Sequence, residues 1–116
     1  MRYALLMHYR EPGEGEISEE AIAEAQEAFG AYGRALESAG VLLSADVLQP
    51  SAATTTVTCR DGGLRVQDGP FAETKEVILG YDVIECADLD EAIFAASRHP
   101  VARDGGVVEV RPILAY

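Results

Sequence analysis

The stretch 77–86, with the sequence VILGYDVIEC, is the longest strand pattern in this chain of 116 residues. Side chains along a strand point alternately to its two faces, and here both faces are apolar. Helices that cover one face of a sheet built around this strand would leave a second apolar face without a cover. The stretch therefore predicts a homodimer that forms through the sheet faces. One face carries Val77, Leu79, Tyr81 and Val83, and the other carries Ile78, Ile84 and Cys86.

Strand and helix patterns precede the long strand in a regular order. An apolar strand is predicted over 2–9, and Ser18 is a good N-cap for a helix that continues to Ala39. Gly40 is expected to end this helix in a left-handed conformation. A second strand is predicted over 41–48, and a hairpin follows over 54–66 around the turn Asp61-Gly62-Gly63.

A second helix and a last strand follow the long strand. Asp88-Leu89-Asp90-Glu91 fits a capping box, Pro100 ends the helix, and a final strand is predicted over 107–114. The order β-α-β, hairpin, β-α-β predicts one domain over residues 1–116. Its fold class is α+β, a ferredoxin-like sandwich whose antiparallel sheet carries two helices on one face.

The composition excludes several classes of partner. A net charge of −11 disfavours nucleic acid and anionic membranes, because phosphate groups require a cationic surface. No run of apolar residues is long enough to cross a bilayer, so we expect a cytoplasmic protein. Cys59 and Cys86 lack the spacing of metal ligands, and we expect both to be reduced and buried. No cofactor and no metal are predicted.

A second informative stretch, 68–76, joins the hairpin to the long strand with the sequence DGPFAETKE. Asp68-Gly69-Pro70 is typical of a rigid bend, with Phe71 filling the core behind it. In a structural interpretation the four residues after Ala72 form an exposed charged segment. In a functional one they converge with Asp68 on a cleft, where Lys75 binds an anionic group or acts as a base. Asp68 and Lys75 are then candidate catalytic residues, and Glu73 and Thr74 are candidate ligand-binding residues.

The stretch 68–76 resembles the signature of the DGPF domain family, part of the wider YCII-related group. The resemblance implies a small bacterial protein with the dimeric α/β-barrel arrangement, and some members are associated with extracytoplasmic-function sigma factors. For the YCII branch it implies a His–Asp pair, but the first helix here has no histidine and His99 stands where that branch has aspartate. The resemblance extends to Gly40-Val41, Leu48-Gln49-Pro50, Gly80-Tyr81, Asp88–Ala92 and Val108–Pro112.

Two histidines are the other candidates for proton transfer, since imidazole titrates near neutral pH. His99, fixed between a helix end and Pro100, is preferred over His8 at the end of the first strand. Asp82 lies inside the long strand, where a carboxylate needs a partner or solvent. On the last strand, Glu109 and Arg111 share the face away from the helices and are expected to form an ion pair.

Two functions are compatible with these residues. The first is a dimer whose sheet-lined clefts bind a small organic molecule, with acid–base catalysis by Asp68, Lys75 and His99. Its ligand would contact the remaining candidates, Glu73, Thr74, Tyr81, Glu109 and Arg111. The second is a non-catalytic regulatory module that binds a partner such as a sigma factor through its acidic surface. A roomy pocket with convergent polar groups would favour the enzyme.

Overall fold

A computed structural model of the protein describes residues 1–13 and 15–115. Four strands form an antiparallel sheet in the order β2-β5-β1-β6, and β3 and β4 form a separate two-stranded hairpin. This is the strand order of a ferredoxin-like fold, so the predicted fold class is confirmed. The strands are β1 (Arg2–Arg10), β2 (Leu42–Val47), β3 (Thr55–Arg60), β4 (Gly63–Asp68), β5 (Glu76–Glu85) and β6 (Val107–Pro112). The helices are α1 (Glu19–Ser38), α2 (Leu89–Ser97) and α3 (Pro100–Arg103), with a short 3-10 turn at Ser51–Ala53.

The core lies between the helices and one face of the sheet, which we call the helix face. Alternate residues of β1 and β5 supply it, and Leu36 of α1 packs over them. Val108 and Val110 of β6 pack against the same cluster, as their position on the strand predicts. The buried residues of this cluster are Tyr3, Leu5, Leu36, Ile84, Cys86, Ala92 and Ala96.

The opposite side of the sheet, which we call the open face, has an apolar centre. Leu6 of β1 pairs with Tyr81 of β5, and Ala4 pairs with Val83. Neither these four residues nor Glu109 and Arg111 belong to the core cluster. The prediction that the central strands are apolar on both faces is therefore confirmed.

Local signals fix the helix ends where the sequence predicts them. The Ser18 hydroxyl accepts the N–H of Ala21, and Gly40 takes a positive φ of 74° just past α1. The Asp88 carboxylate accepts the N–H of Glu91 at 2.9 Å at the start of α2. Pro100 ends α2, and it also begins α3, an element that the sequence reading missed because four residues are too few for a periodic pattern.

The hairpin β3–β4 departs most from the expectations. Phe71, expected to fill the core, is instead 79% exposed, and it lies in a bend whose residues 70–76 are all exposed. Cys59 is exposed on β3, whereas Cys86 is buried as predicted. Apolar side chains of the hairpin therefore face solvent in the single chain.

None of the helices among residues 1–13 and 15–115 has the length and apolar character needed to cross a membrane.

Glu11 ties the loop after β1 to the 3-10 turn. Its carboxylate accepts the backbone N–H of Ser51 at 2.9 Å and the Ser51 hydroxyl at 2.7 Å. The pKa of Glu11 is lowered below its ordinary value of 4.5, mainly by the hydrogen bond from the Ser51 backbone and secondarily by the one from the Ser51 hydroxyl. Because the pKa falls on folding, the contact stabilises the fold above the pKa of the unfolded chain, and this stabilisation is lost as the pH falls through the folded pKa.

We therefore expect Glu11→Gln to lower the urea midpoint at neutral pH. The deficit relative to wild type should shrink as the pH falls below 4.5 and through the lowered pKa of Glu11 in the folded chain, because the wild-type carboxylate is then protonated as well. Urea unfolding at a series of pH values measures this. A deficit that stays constant across the acidic range would contradict the assigned role of the Glu11 charge.

Candidate functional site

His99 is held rigidly between α2 and α3, on the helix face of the sheet. Its side chain is 2% exposed. The ring contacts Phe29 edge-on, with centroids 5.5 Å apart, and Tyr32 with centroids 4.6 Å apart. As the N-cap of α3, its Nδ1 accepts the backbone N–H of Val101 at 3.0 Å. The sequence places His99 here because the following proline forbids helical geometry at this residue and opens the next helix.

Asp82 is the buried partner of His99. It lies in the middle of β5, between Leu5 of β1 and Ala45 of β2, and it is 6% exposed. Its Oδ2 lies 3.5 Å from His99 Nε2, an ion-pair distance at which no hydrogen bond is formed. Among the residues that the structure describes, Asp82 Oδ2 has no hydrogen-bond partner. A buried carboxylate oxygen of this kind normally has one, so the atom is ready to accept a bond from a ligand.

A small cleft leads from solvent to this pair, and we call it the α1–β2 cleft. Its volume is about 120 Å³. Phe29, Tyr32 and Gly33 of α1 form one wall, and Ala45, Asp46 and Val47 of β2 form the other, exposed rim. Met7, Asp82 and His99 form its buried floor. The acid–base pair therefore stands at the bottom of a pocket that opens beside an edge strand.

Tyr32 shapes the cleft and does not transfer protons in it. Its hydroxyl donates a hydrogen bond to the carbonyl oxygen of Ala95 at 2.7 Å. Burial, and secondarily the nearby charge of Asp82, raise the pKa of Tyr32 well above its ordinary value. The phenol therefore stays protonated and bound to α2 throughout the neutral range, so it serves as a fixed wall.

The hydrogen bond at Nδ1 determines what His99 offers to the cleft. Because Nδ1 accepts the N–H of Val101, the proton of the neutral ring is on Nε2, the atom nearest to Asp82. The floor of the cleft thus presents one carboxylate oxygen, Asp82 Oδ2, as an acceptor and one N–H, at His99 Nε2, as a donor, with the two atoms 3.5 Å apart. Such a pair can remove a proton from a ligand and stabilise the charge that develops nearby.

The bend after β4 forms a different surface. Asp68, Glu73, Thr74 and Lys75 are all exposed, and the Thr74 hydroxyl donates to the carbonyl of Glu76. A cleft of about 630 Å³ is lined by Thr74 together with His8 and Ile78 of the open face. His99 lies on the helix face, so the structure does not bring it together with Asp68, Glu73 and Lys75.

The remaining predicted residues, Tyr81, Glu109 and Arg111, lie on the open face. The Tyr81 hydroxyl donates to Asp46 Oδ2 at 2.7 Å, and this bond is the main cause that raises the pKa of Tyr81. Glu109 pairs with His8 Nε2 and not with Arg111, the partner expected from the sequence. The reason is register: His8 lies diagonally next to Glu109 on the neighbouring strand.

Asp82 is the site residue that sequence reasoning did not assign. The signal was present, because a lone carboxylate on the helix face of a central strand requires a buried partner. The sequence did not indicate that His99 is this partner, since 16 residues of strand and helix lie between the two positions. No group of three or more histidine, cysteine, aspartate or glutamate residues within 1–13 and 15–115 is arranged to bind a metal.

Two comparisons with known proteins show what this chain is similar to. The family model described as "YCII-related domain" matches residues 1–116. An uncharacterised protein of Rhizobium meliloti (strain 1021), R00369, is 38% identical over 117 residues. The alignment covers 100% of this chain and 94% of that protein. The similarity thus extends over the whole chain.

Proposed function

This chain belongs to the YCII-related domain family, and we propose that it is a dimeric acid–base enzyme that acts on a small organic molecule. The reaction takes place in the α1–β2 cleft of a single domain. His99 is retained from the candidates that the sequence supplied, and Asp82 replaces Asp68 and Lys75, which lie on another surface.

The observation that carries the proposal is the buried Asp82–His99 pair with its unpartnered oxygen. A purely structural ion pair in the core would be expected to satisfy its hydrogen bonds, because an unsatisfied buried charged group is costly. Here Asp82 Oδ2 lacks a partner and lies beside a cleft. A ligand bound in the cleft supplies the missing contact, and hydrogen bonds at catalytic pairs commonly tighten when the ligand binds.

The geometry assigns a role to each member of the pair. Asp82 Oδ2 is the general base, and it removes a proton from a carbon next to a carbonyl group. The electron pair of the broken C–H bond moves onto the carbonyl oxygen. His99 Nε2–H donates a hydrogen bond to that oxygen, and the Val101 N–H at Nδ1 keeps the donor proton on Nε2. Return of the proton to carbon or oxygen completes the step.

The dimer is part of this proposal and is supported by the open face. Leu6, Tyr81 and Val83 form an apolar centre there, and helices cover only the other side of the sheet. The occupant we propose is a second copy of the chain. Charges of both signs flank the centre, at Glu109 and Arg111 on one edge strand, so a two-fold arrangement can place opposite charges against each other.

A second candidate is a non-catalytic module that binds a protein partner, such as an extracytoplasmic-function sigma factor. The observation that favours it is the hairpin β3–β4, whose apolar residues Val57, Leu64 and Val66 are exposed together with Phe71. A partner-binding module needs no proton transfer, so the two candidates differ in a measurable property.

The experiment is carbon-acid exchange in D₂O. Wild-type protein is incubated with a panel of small ketones and aldehydes, and NMR follows the loss of the proton signal next to the carbonyl group. We expect Asp82→Asn to slow the exchange at least about 100-fold, since general base catalysis contributes roughly 10²–10⁴. Asp68→Asn, a carboxylate on the exposed bend, is the matched control and should exchange at the wild-type rate.

Thermal unfolding of both variants shows that each is folded before the rates are compared. Exchange with wild type that is no faster than in buffer, across the panel, would refute the enzyme and favour the partner-binding module. Loss of exchange in Asp68→Asn with retention in Asp82→Asn would move the site to the bend.

A further inference from the structure

We infer that Gly33 of α1 determines which molecules enter the α1–β2 cleft, and that the substrates are small, uncharged carbonyl compounds. This inference rests on the proposed function, because it concerns the ligand of the same cleft. It adds a specificity-determining residue and a substrate class to the acid–base pair.

Gly33 lies inside α1 without a packing reason for being glycine. Alanine and most other residues form helices more readily, so a glycine in a helix interior lowers its stability. A glycine can still be required where another group approaches the backbone closely. At Gly33 no such group is present, since an added β-carbon would meet nothing within 4 Å. The backbone there is ordinary helix, so no positive φ requires glycine either.

The space at Gly33 belongs to the cleft. Gly33 forms the α1 wall together with Phe29 and Tyr32, the two aromatic residues that hold the His99 ring. Because Gly33 lines the cleft and an added β-carbon would meet no atom within 4 Å, we expect a larger side chain at this position to reduce the space of the cleft. The missing side chain therefore leaves room for a ligand above the acid–base pair.

Gly30, one turn earlier on the same helix, gives a matched comparison. Its added β-carbon would lie 3.2 Å from Arg34 Nη1, the end of a flexible side chain that can move away. Gly30 does not line the α1–β2 cleft. Alanine at either glycine thus improves the helix, but only alanine at Gly33 occupies space in the cleft.

The lining residues limit the substrate further. They include the carboxylate of Asp82 and contain no lysine or arginine. A ligand that carries its own carboxylate or phosphate would be repelled by Asp82 and would find no cation to compensate. A volume of about 120 Å³ corresponds to roughly four water molecules, that is, to a ligand of a few non-hydrogen atoms. The floor supplies one donor, His99 Nε2–H, which matches a single carbonyl oxygen.

The test uses the D₂O exchange assay with probes of graded size and charge. The uncharged probes are acetone, butanone and 3-pentanone, and the anionic probe is pyruvate. In Gly33→Ala and Gly33→Val, the exchange rate of acetone should fall less, relative to wild type, than the exchange rate of 3-pentanone. We expect Gly33→Val to lower the exchange rate of 3-pentanone at least tenfold. Gly33→Ala should also unfold at a temperature a few degrees higher than wild type, because alanine favours the helix.

Gly30→Ala is the control, and it should raise the unfolding temperature while leaving every exchange rate unchanged. Wild type should exchange pyruvate at least tenfold more slowly than butanone, relative to the rates in buffer. Equal rates for wild type and Gly33→Val with 3-pentanone would overturn the role of Gly33, and fast pyruvate exchange would overturn the substrate class. If either result were found while Asp82→Asn still lost exchange, the proposed function would stand and only the inference about Gly33 or the substrate class would fail. Absence of exchange in wild type would refute the proposed function and this inference together.

Discussion

Replacing Gly80 by alanine is expected to destabilise the fold by about 3 kcal/mol, although only one methyl group is added. Gly80 lies on the helix face of β5, between Met7 of β1 and Val47 of β2. An added β-carbon would overlap the carbonyl oxygen of Asp46 and would lie 3.1 Å from Val47 Cα and 3.2 Å from Met7 Cε. Two of these three atoms are backbone, so β2 itself would have to move.

Urea unfolding measures the loss, and Gly33→Ala is the control because its β-carbon meets nothing within 4 Å. The two substitutions add the same methyl group, so composition and net charge are identical. We expect a lowered midpoint for Gly80→Ala and a raised one for Gly33→Ala. Equal stability of Gly80→Ala and wild type would mean that β2 and β5 are farther apart than described.

Replacing Leu6 by lysine is expected to convert the proposed dimer into monomers. Leu6 lies at the centre of the open face, opposite Tyr81 of β5 and Glu109 of β6. In a two-fold sheet-to-sheet interface each copy contributes one lysine, so two charges are removed from water in an apolar contact. The neighbouring carboxylate of Glu109 already pairs with His8. A cost of about 3 kcal/mol weakens the dissociation constant more than 100-fold.

Sedimentation equilibrium over a range of concentrations gives the dissociation constants. Ile93→Lys is the control, because Ile93 is an exposed apolar residue on α2, on the other side of the sheet. It should sediment as wild type does. Wild-type protein that remains monomeric at about 100 μM, a concentration at which a specific interface is normally occupied, would refute the proposed dimer.

The fold could be predicted from the sequence because each local signal agrees with the global arrangement. The alternation in 77–86 correctly assigned Asp82 and Ile84 to one face of β5 and Tyr81 and Val83 to the other. It wrongly placed Ile78 with Ile84, because the register shift between Met7 and His8 brings Ile78 to the open face. Ser18, Gly40 and Asp88 fixed helix ends through their own hydrogen bonds or backbone conformation. Signals of this kind depend on neighbours within four or five positions, which a sequence displays directly.

The site was predicted only in part, because it is made by contacts between distant elements. His99 was correctly identified as a fixed histidine, yet its carboxylate partner lies on another element. The bend at 68–76 was predicted as a site because its charged residues are adjacent in sequence, but these residues are all exposed to solvent. Phe71 was misplaced for a related reason, since its hydrophobicity does not indicate the direction in which the bend turns the chain.

The position of β2 at the border of the sheet has a consequence for how quickly molecules reach the acid–base pair. Within the described chain β2 is hydrogen-bonded to β5 alone, and its other flank faces outward. Edge strands separate from their neighbour at a lower free-energy cost than central strands. The entrance of the α1–β2 cleft can therefore widen by fraying of β2 while the floor of the cleft stays fixed. In the proposed enzyme, the alignment of Asp82 therefore depends on β5 and the access of ligands depends on β2, so motion of β2 can leave the geometry of the pair unchanged.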